Sequence, residues 1–251
     1  MRIATSTPMG EPLGSGSFGT VYKLRGLPIA RKYITLTEPR NGLPPEAIRE
    51  IACLQRLKKF DSRARVNCID ILGIHISRTA IMIDMELMTG GTLGDLLDNS
   101  QLQPALLLSY SVQMVKGLSF LHGVSIIHRD VTPGNILISS SNCLKIADFG
   151  LSHLMSGIEP RTPLVCSLYY RAPELLRVNA FVGDTRSLVY TCAVDNWSVG
   201  CILREMIIGQ GPEFRPARPT FSPTTSAIEQ LDAIIRYELW NTVIRADTKW
   251  P

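Results

Sequence analysis

HRDVTPGNILISSSNCLKIADFG, residues 128–150, decides how the rest of the chain is read. Ile136-Leu137-Ile138 and Leu144-Lys145-Ile146 are short apolar runs on either side of a Ser-Ser-Ser-Asn turn, the pattern of a β-hairpin. An antiparallel return places the start of the first strand beside the end of the second, so Asn135 and Asp148 become neighbours, with Asp130 just ahead in a tight loop. Two oxygen ligands on adjacent strand ends suit Mg²⁺, which takes few protein ligands and completes its shell with phosphate and water. Each of these residues alone is an ordinary turn former. Together, in this order and with Phe149-Gly150 following, they form a set that brings a metal, a nucleotide and a hydroxyl to one place.

The 251 residues suffice to bury about three quarters of the unfolded surface, in one large domain or two lobes. The net charge of +4 is mild, and Lys and Arg are scattered over the whole chain, which argues against nucleic acid as a partner. Six cysteines, Cys53, Cys68, Cys143, Cys166, Cys192 and Cys201, show no CxxC pair. That spacing predicts free thiols in a reducing, intracellular compartment, cytoplasmic or nuclear. The N-terminus lacks the apolar core of a signal peptide, and the longest uncharged stretch, 99–115, is too polar to cross a membrane. No membrane association is expected.

The first part of the chain reads as β-rich. After a glycine-punctuated turn at 14–19 come strands at 29–34 and 80–87. In the second, Ile81, Ile83, Met85 and Leu87 alternate with Met82, Asp84 and Glu86, as in a half-buried strand. Thr89-Gly90-Gly91 breaks it. Beyond, Leu107, Tyr110, Met114, Leu118 and Leu121 mark one helix face, and 193–208 is apolar nearly all round, as in a buried central helix. The shift at 88–92 divides the chain into a small β-rich lobe, 1–88, and a larger helical lobe, 89–251. Ligands commonly bind in clefts between such lobes.

Leu13-Gly14-Ser15-Gly16-Ser17-Phe18-Gly19-Thr20-Val21 contains GxGxxGxV. Glycines let backbone N–H groups approach phosphates, although the same pattern serves a flexible turn. No Lys-Ser/Thr pair follows as in a Walker loop, and 20–23 read as a strand, so a hairpin folded over the ligand is predicted. A helix starts after Pro44-Pro45, and Ala47, Glu50, Ile51 and Leu54 satisfy its apolar template. An acid within an apolar stripe is costly unless it is paired or solvated at the stripe's edge, and Lys32 in the preceding strand is the best candidate partner.

The order GxGxxGxV, Ala30-Arg31-Lys32, helix Glu50, HRD with an Asn five residues on, DFG, then Ala172-Pro173-Glu174 resembles the eukaryotic protein kinases. PPEAIREI at 44–51, SLYYRAPE at 167–174 and VDNWSVGC at 194–201 are similar to motifs of the cyclin-dependent kinases, in the group they share with the mitogen-activated kinases. The resemblance implies an α+β, bilobal kinase fold and an ATP- and Mg²⁺-dependent serine/threonine kinase, proline-directed, with a cyclin-like activator as a partner. Carried over position by position, Lys32 would contact the α- and β-phosphates and pair with Glu50, Asp130 would orient the substrate hydroxyl, and Asn135 and Asp148 would hold the metal. The ATP site would be lined by Leu13, Gly14, Ser15, Gly16, Ser17, Phe18, Gly19, Thr20, Val21, Ala30, Lys32 and Leu137. Glu86 and Met88 would offer backbone groups to adenine beside the gatekeeper Met85. Arg49 and Arg129 would meet a phosphate on Thr162, Arg171 would favour proline after the target residue, and Asp195 would brace the catalytic loop.

The chain departs from the family pattern in several places. Thr132 stands where a lysine usually neutralises the transferring phosphoryl group, His153 replaces a third arginine of the activation site, and Phe18 replaces an inhibitory tyrosine. The link at 177–193 is longer than usual. The prolines at 212, 216, 219 and 223 read as loop, followed by a helix at 227–238, and no arginine partner for Glu174 is evident. Thr132 and the short C-terminal part motivate the alternative reading, a pseudokinase or nucleotide-binding regulatory scaffold with weak or no transfer activity.

Overall fold

The glycine pattern folds as the hairpin expected of it: β1 (Met9–Gly16) pairs antiparallel with β2 (Gly19–Leu24). The structure, a computed structural model, describes residues 5–16, 19–36, 42–99, 102–155, 165–181, 189–208 and 229. Gly19 has φ +131°, and a Cβ there would lie 2.5 Å from the Tyr33 carbonyl oxygen. The third glycine of the pattern therefore serves close packing on β3 (Ile29–Thr35).

Three more elements complete this part of the molecule: α1 (Pro45–Leu57), β4 (Ile71–Ile76) and β5 (Ala80–Glu86). The sheet is antiparallel, in the order β1-β2-β3-β5-β4. Pro45 opens α1, where its missing N–H costs nothing. The helix buries Ala47, Glu50, Cys53, Leu54 and Leu57, while Ile51 is half-buried, so the apolar stripe runs further round than the template predicts. β5 also differs from expectation. It is buried on both faces because Asp84, aligned with Arg31 across β3, lies in a closed ionic cluster. Arg31 Nε and Nη2 donate to the two Asp84 oxygens at 2.6 and 2.9 Å, and His75 Nε2 lies 3.1 Å from Oδ2. A fully paired charge can occupy a position that alternation assigns to solvent.

Beyond Glu86 the chain turns helical. α2 (Leu93–Asp98) starts with a reciprocal capping box between Thr92 and Asp95. α3 (Pro104–Gly123) buries Tyr110, Met114, Leu118 and Leu121 as predicted, with Leu107 partly buried. Next come β6 (Ile126–Ile127), β7 (Ile136–Ile138), β8 (Leu144–Ile146) and β9 (His153–Leu154). β7 and β8 form the expected hairpin, Ile136 opposite Ile146, although five residues join them rather than four. Cys143 belongs to the turn, its N–H donating to Ser139 Oγ, and Asn142 takes φ +58°. α4 (Pro173–Phe181) and α5 (Ala193–Ile208) complete the described elements. A continuous core joins Ile34, Leu54 and Ile83 of the sheet side to Leu121, Phe149 and Ile202 of the helical side.

All six cysteines are free, and burial pushes the Cys53, Cys68 and Cys201 thiols up to about 12, so they are inert packing groups. Among the described residues no helix is long and apolar enough to cross a membrane. Ser17, Phe18, Thr162, the middle of the 177–193 link, the prolines from 212 and the helix expected at 227–238 lie outside the described residues, apart from a helical Glu229.

Candidate active site

β3 alternates, so Ala30 and Lys32 face one way and Arg31 the other. Lys32 Nζ donates to both Glu50 oxygens and to Asp148 Oδ1, each at 2.9 Å. Glu50 is 2% exposed, so the acid predicted to need a partner has found the predicted one. Burial works to lower the Lys32 pKa, but the charges of Glu50 and Asp148 outweigh it and hold the ammonium above its ordinary value. Burial pushes the Glu50 carboxyl up against the pull of Lys32. In Asp148 burial acts upward too, yet Lys32 and the Gly150 N–H hold the carboxyl below its usual range. Removing one member of such a cluster leaves a buried charge, which costs about 3–5 kcal/mol.

The catalytic loop is held from beneath. Asp195, fully buried at the start of α5, accepts from the backbone N–H groups of His128 and Arg129, both at 2.8 Å, and lies 2.9 Å from His122 Nε2. These bonds fix Arg129 at φ +65°, an unfavourable conformation for a residue with a Cβ. His128 is also fully buried. The Asp130 N–H donates to its Nδ1, which assigns the proton to Nε2, the donor to Ala147 O at 3.0 Å. The ring packs edge-on against Phe149, and Asp148 beside it has φ +61°.

Asp130 is aimed by three donors. Asn135 Nδ2 donates to Oδ2 at 2.9 Å, and the Ser167 N–H and hydroxyl both donate to Oδ1 at 2.9 Å. Ser167 opens the SLYYRAPE motif, yet sequence reasoning misses its role. The contact joins residues 37 apart, which local patterning does not report. Thr132 is half-buried, and its side chain makes no hydrogen bond among the described residues.

The Lys32–Glu50–Asp148 cluster and Asn135 line a cavity of about 590 Å³ bounded by both parts of the chain; Asp130 is not among its lining residues and is tied to it through Asn135. Of the predicted nucleotide residues, Leu13, Gly14, Ser15, Gly19, Val21, Ala30, Lys32, Glu86, Met88 and Leu137 line it, as do Glu50, Asn135 and Asp148. Thr20 does not line it, its hydroxyl lying 3.2 Å from that of Ser15. Met88 makes no backbone hydrogen bond among the described residues, leaving a donor and an acceptor on the cavity wall. Apolar side chains from the sheet, Leu13, Val21 and Ala30, face Leu137 of β7, a slot suited to a flat ring. Asn135 Oδ1 and Asp148 Oδ2 make no hydrogen bond among the described residues, so two oxygens at adjacent strand ends are available to a hard cation, and the residues fit Mg²⁺. Arg49 and Arg129 both act electrostatically on the buried Cys53 thiol, each favouring its charged form. Arg129 also donates to Leu151 O and Tyr190 Oη, at 2.6 and 3.1 Å.

The sequence matches the protein kinase domain over residues 8–248. It is 37% identical over 220 residues to cyclin-dependent kinase 4 of Mus musculus, covering 82% of this chain and 68% of the mouse protein. Against the same kinase of Xenopus laevis identity is 36%, over 79% of this chain and 62% of that protein. A probable cell division protein kinase of Encephalitozoon cuniculi is also 36% identical, over 80% of this chain and 61% of its own length. The chain belongs to the protein kinase family, phosphotransferases that as a class act with ATP and Mg²⁺. Within that family it is a cyclin-dependent-kinase-like member of the group shared with the mitogen-activated kinases.

Proposed function

We propose that the chain transfers the γ-phosphoryl group of ATP to serine or threonine followed by proline in protein substrates, with Mg²⁺, inside the cell and under the control of a cyclin-like activator. The observation that carries this reading is an assembled Lys32–Glu50–Asp148 cluster on the cavity wall, with Asn135 beside it hydrogen-bonded to a triply held Asp130. Adenine fits the slot between Ala30 and Leu137, with Met88 supplying a donor and an acceptor. Lys32 would face the α- and β-phosphates, and Asn135 and Asp148 would hold the metal. Bound Mg²⁺ supplies charge neutralisation of the phosphates. Asp130 accepts the hydrogen bond of the incoming hydroxyl and orients its oxygen for attack.

Proline selectivity has a backbone basis. Cys166 takes φ +65°, and its carbonyl accepts from Arg171 Nη2 at 2.8 Å and Nε at 3.3 Å. That carbonyl is thereby turned away from a bound peptide, so the N–H of the residue after the target finds no acceptor there. Proline has no N–H to leave unsatisfied. The activator is supported by exposed apolar groups: Ile48 on α1, 51% exposed, and Leu72 and Ile76 on the edge strand β4. Phosphorylation of Thr162 would be received by Arg49, whose Nε is buried without a hydrogen-bond partner, together with Arg129.

Transfer of labelled phosphate to a Ser-Pro peptide tests the reading, with a Ser-Ala peptide and the Asp130→Asn variant alongside. Transfer favouring Ser-Pro and lost in the variant is expected. Equal incorporation by both proteins would refute the assigned chemistry, and equal use of both peptides the proline rule. The second reading, a nucleotide-responsive scaffold, is favoured by Thr132 alone. Stabilisation by Mg-ATP without any transfer is its signature.

A further inference from the structure

The even scatter of charge over the whole chain breaks down at one place. Residues 56–66 hold Arg56, Lys58, Lys59, Arg63 and Arg65 against Asp61, a net +4 that equals the charge of the entire chain, so the remainder is neutral. Two of these cations are used internally. Arg56 Nε donates to Val124 O and its guanidinium lies over the Phe60 ring, while Arg65 pairs with Asp70. Lys58, Lys59 and Arg63 are exposed and make no side-chain hydrogen bond or ion pair among the described residues. Across from them α3 adds the exposed Lys116, and the chain carries no Asp or Glu between Asp98 and Asp130.

This segment and α3 enclose a second cavity, of about 590 Å³, which shares no residue with the nucleotide cleft. Its rim carries Arg63 and Lys116, and two aliphatic side chains sit beside them, Val66 and Val115, 48% and 51% exposed. The floor is rigid. Asn67 donates to Leu144 O at 2.8 Å and to Gln113 Oε1 at 3.2 Å, and Gly117 brings the α3 backbone so near that a Cβ would lie 2.7 Å from Asn67 O. Phe60 locks the segment to α3 by an edge contact with Phe120, ring centroids 5.7 Å apart.

We propose that this cavity docks an acidic, aliphatic-bearing segment of a partner protein, away from the site of phosphoryl transfer. Unpaired cations beside exposed valines, on a pre-formed floor, match carboxylates alternating with aliphatic side chains in charge and in apolarity. Nucleic acid is disfavoured because a single aromatic ring, Phe120, is among the lining residues, and it is engaged in an edge contact with Phe60. The proposal rests on the kinase reading only for its consequence, delivery of a substrate or regulator, and not for binding itself.

The test is fluorescence anisotropy of the full chain with a short labelled peptide alternating glutamate and leucine, at low and high salt. Saturable binding that weakens with salt is expected. Arg63→Glu/Lys116→Glu should raise Kd at least ~10-fold, whereas Arg25→Glu/Arg78→Glu, an equal loss of charge elsewhere on the surface, should leave it within ~2-fold. Val66→Ser/Val115→Ser should also weaken binding with every cation in place. Stabilisation by Mg-ATP in each variant shows that it is folded. Absence of binding, equal binding by both charge-reversal variants, or tighter binding of a single-stranded oligonucleotide or phosphatidylserine vesicles overturns the proposal. Because anisotropy reads no turnover, its failure and a failure of phosphoryl transfer are told apart.

Discussion

The nucleotide side and the hydroxyl side of the cleft are built to different standards. On the nucleotide side, Lys32 is buried between two carboxylates, and every charge has a partner at 2.9 Å. On the hydroxyl side, Asp130 is well held, but Thr132 carries a neutral hydroxyl with no hydrogen bond among the described residues, at a position where the proposed function calls for a cation to offset charge on the transferring group. Phosphoryl transfer depends mainly on positioning and on electrostatic stabilisation. This protein therefore combines well-developed positioning with thinner stabilisation, and binding should be less impaired than turnover.

Replacement of Asp130 by Asn breaks the hydroxyl side outright. It should lower turnover by ~10²–10⁴-fold in a phosphate-transfer assay while the thermal shift with Mg-ATP persists. Lys32→Met attacks the other side. It should cost ~10²–10³-fold in turnover and also lower thermal stability, because Glu50 is left buried without its cation. Thr132→Lys sharpens the contrast by repairing it: a gain of up to ~10²-fold in kcat is expected, with little change in nucleotide affinity. Ser167→Ala, which removes one of two donors to Asp130 Oδ1, should lower kcat by only ~10-fold, the backbone N–H remaining.

The smallest effect is on pH. The Asp148 carboxyl is held below its ordinary value, so its contribution to folding, and to the metal binding proposed for it, is complete at neutral pH and persists as pH falls to about 4. It is lost only as pH drops further, through the lowered value. Stabilisation by Mg-ATP followed against pH should show this lag, and Asp148→Asn should abolish the stabilisation at every pH.

Where residues act through local spacing, the sequence is legible. The β7–β8 hairpin, the Lys32–Glu50 pair and the α3 stripe follow from motif and period, while Asp195 beneath the catalytic loop follows from the resemblance to the kinases. The buried Arg31–Asp84–His75 cluster does not, because alternation reads an acid as solvent-facing and cannot see a cation arriving from another strand. Ser167 escapes for a similar reason, its partner being remote in the chain. The concentration of charge at 56–66 is hidden by an average: a total of +4 does not say where the cations lie.

Asp195 reaches up from a buried helix to grasp two amide protons of the loop that carries Asp130. Those protons cannot meet solvent unless α5 itself lets go. In deuterium exchange the amides of His128 and Arg129 should thus be among the slowest in the molecule, waiting for whole-molecule opening rather than loop motion. A loop that bears the chemistry would then share the lifetime of the core, and partner binding nearby could shift the cleft without loosening it.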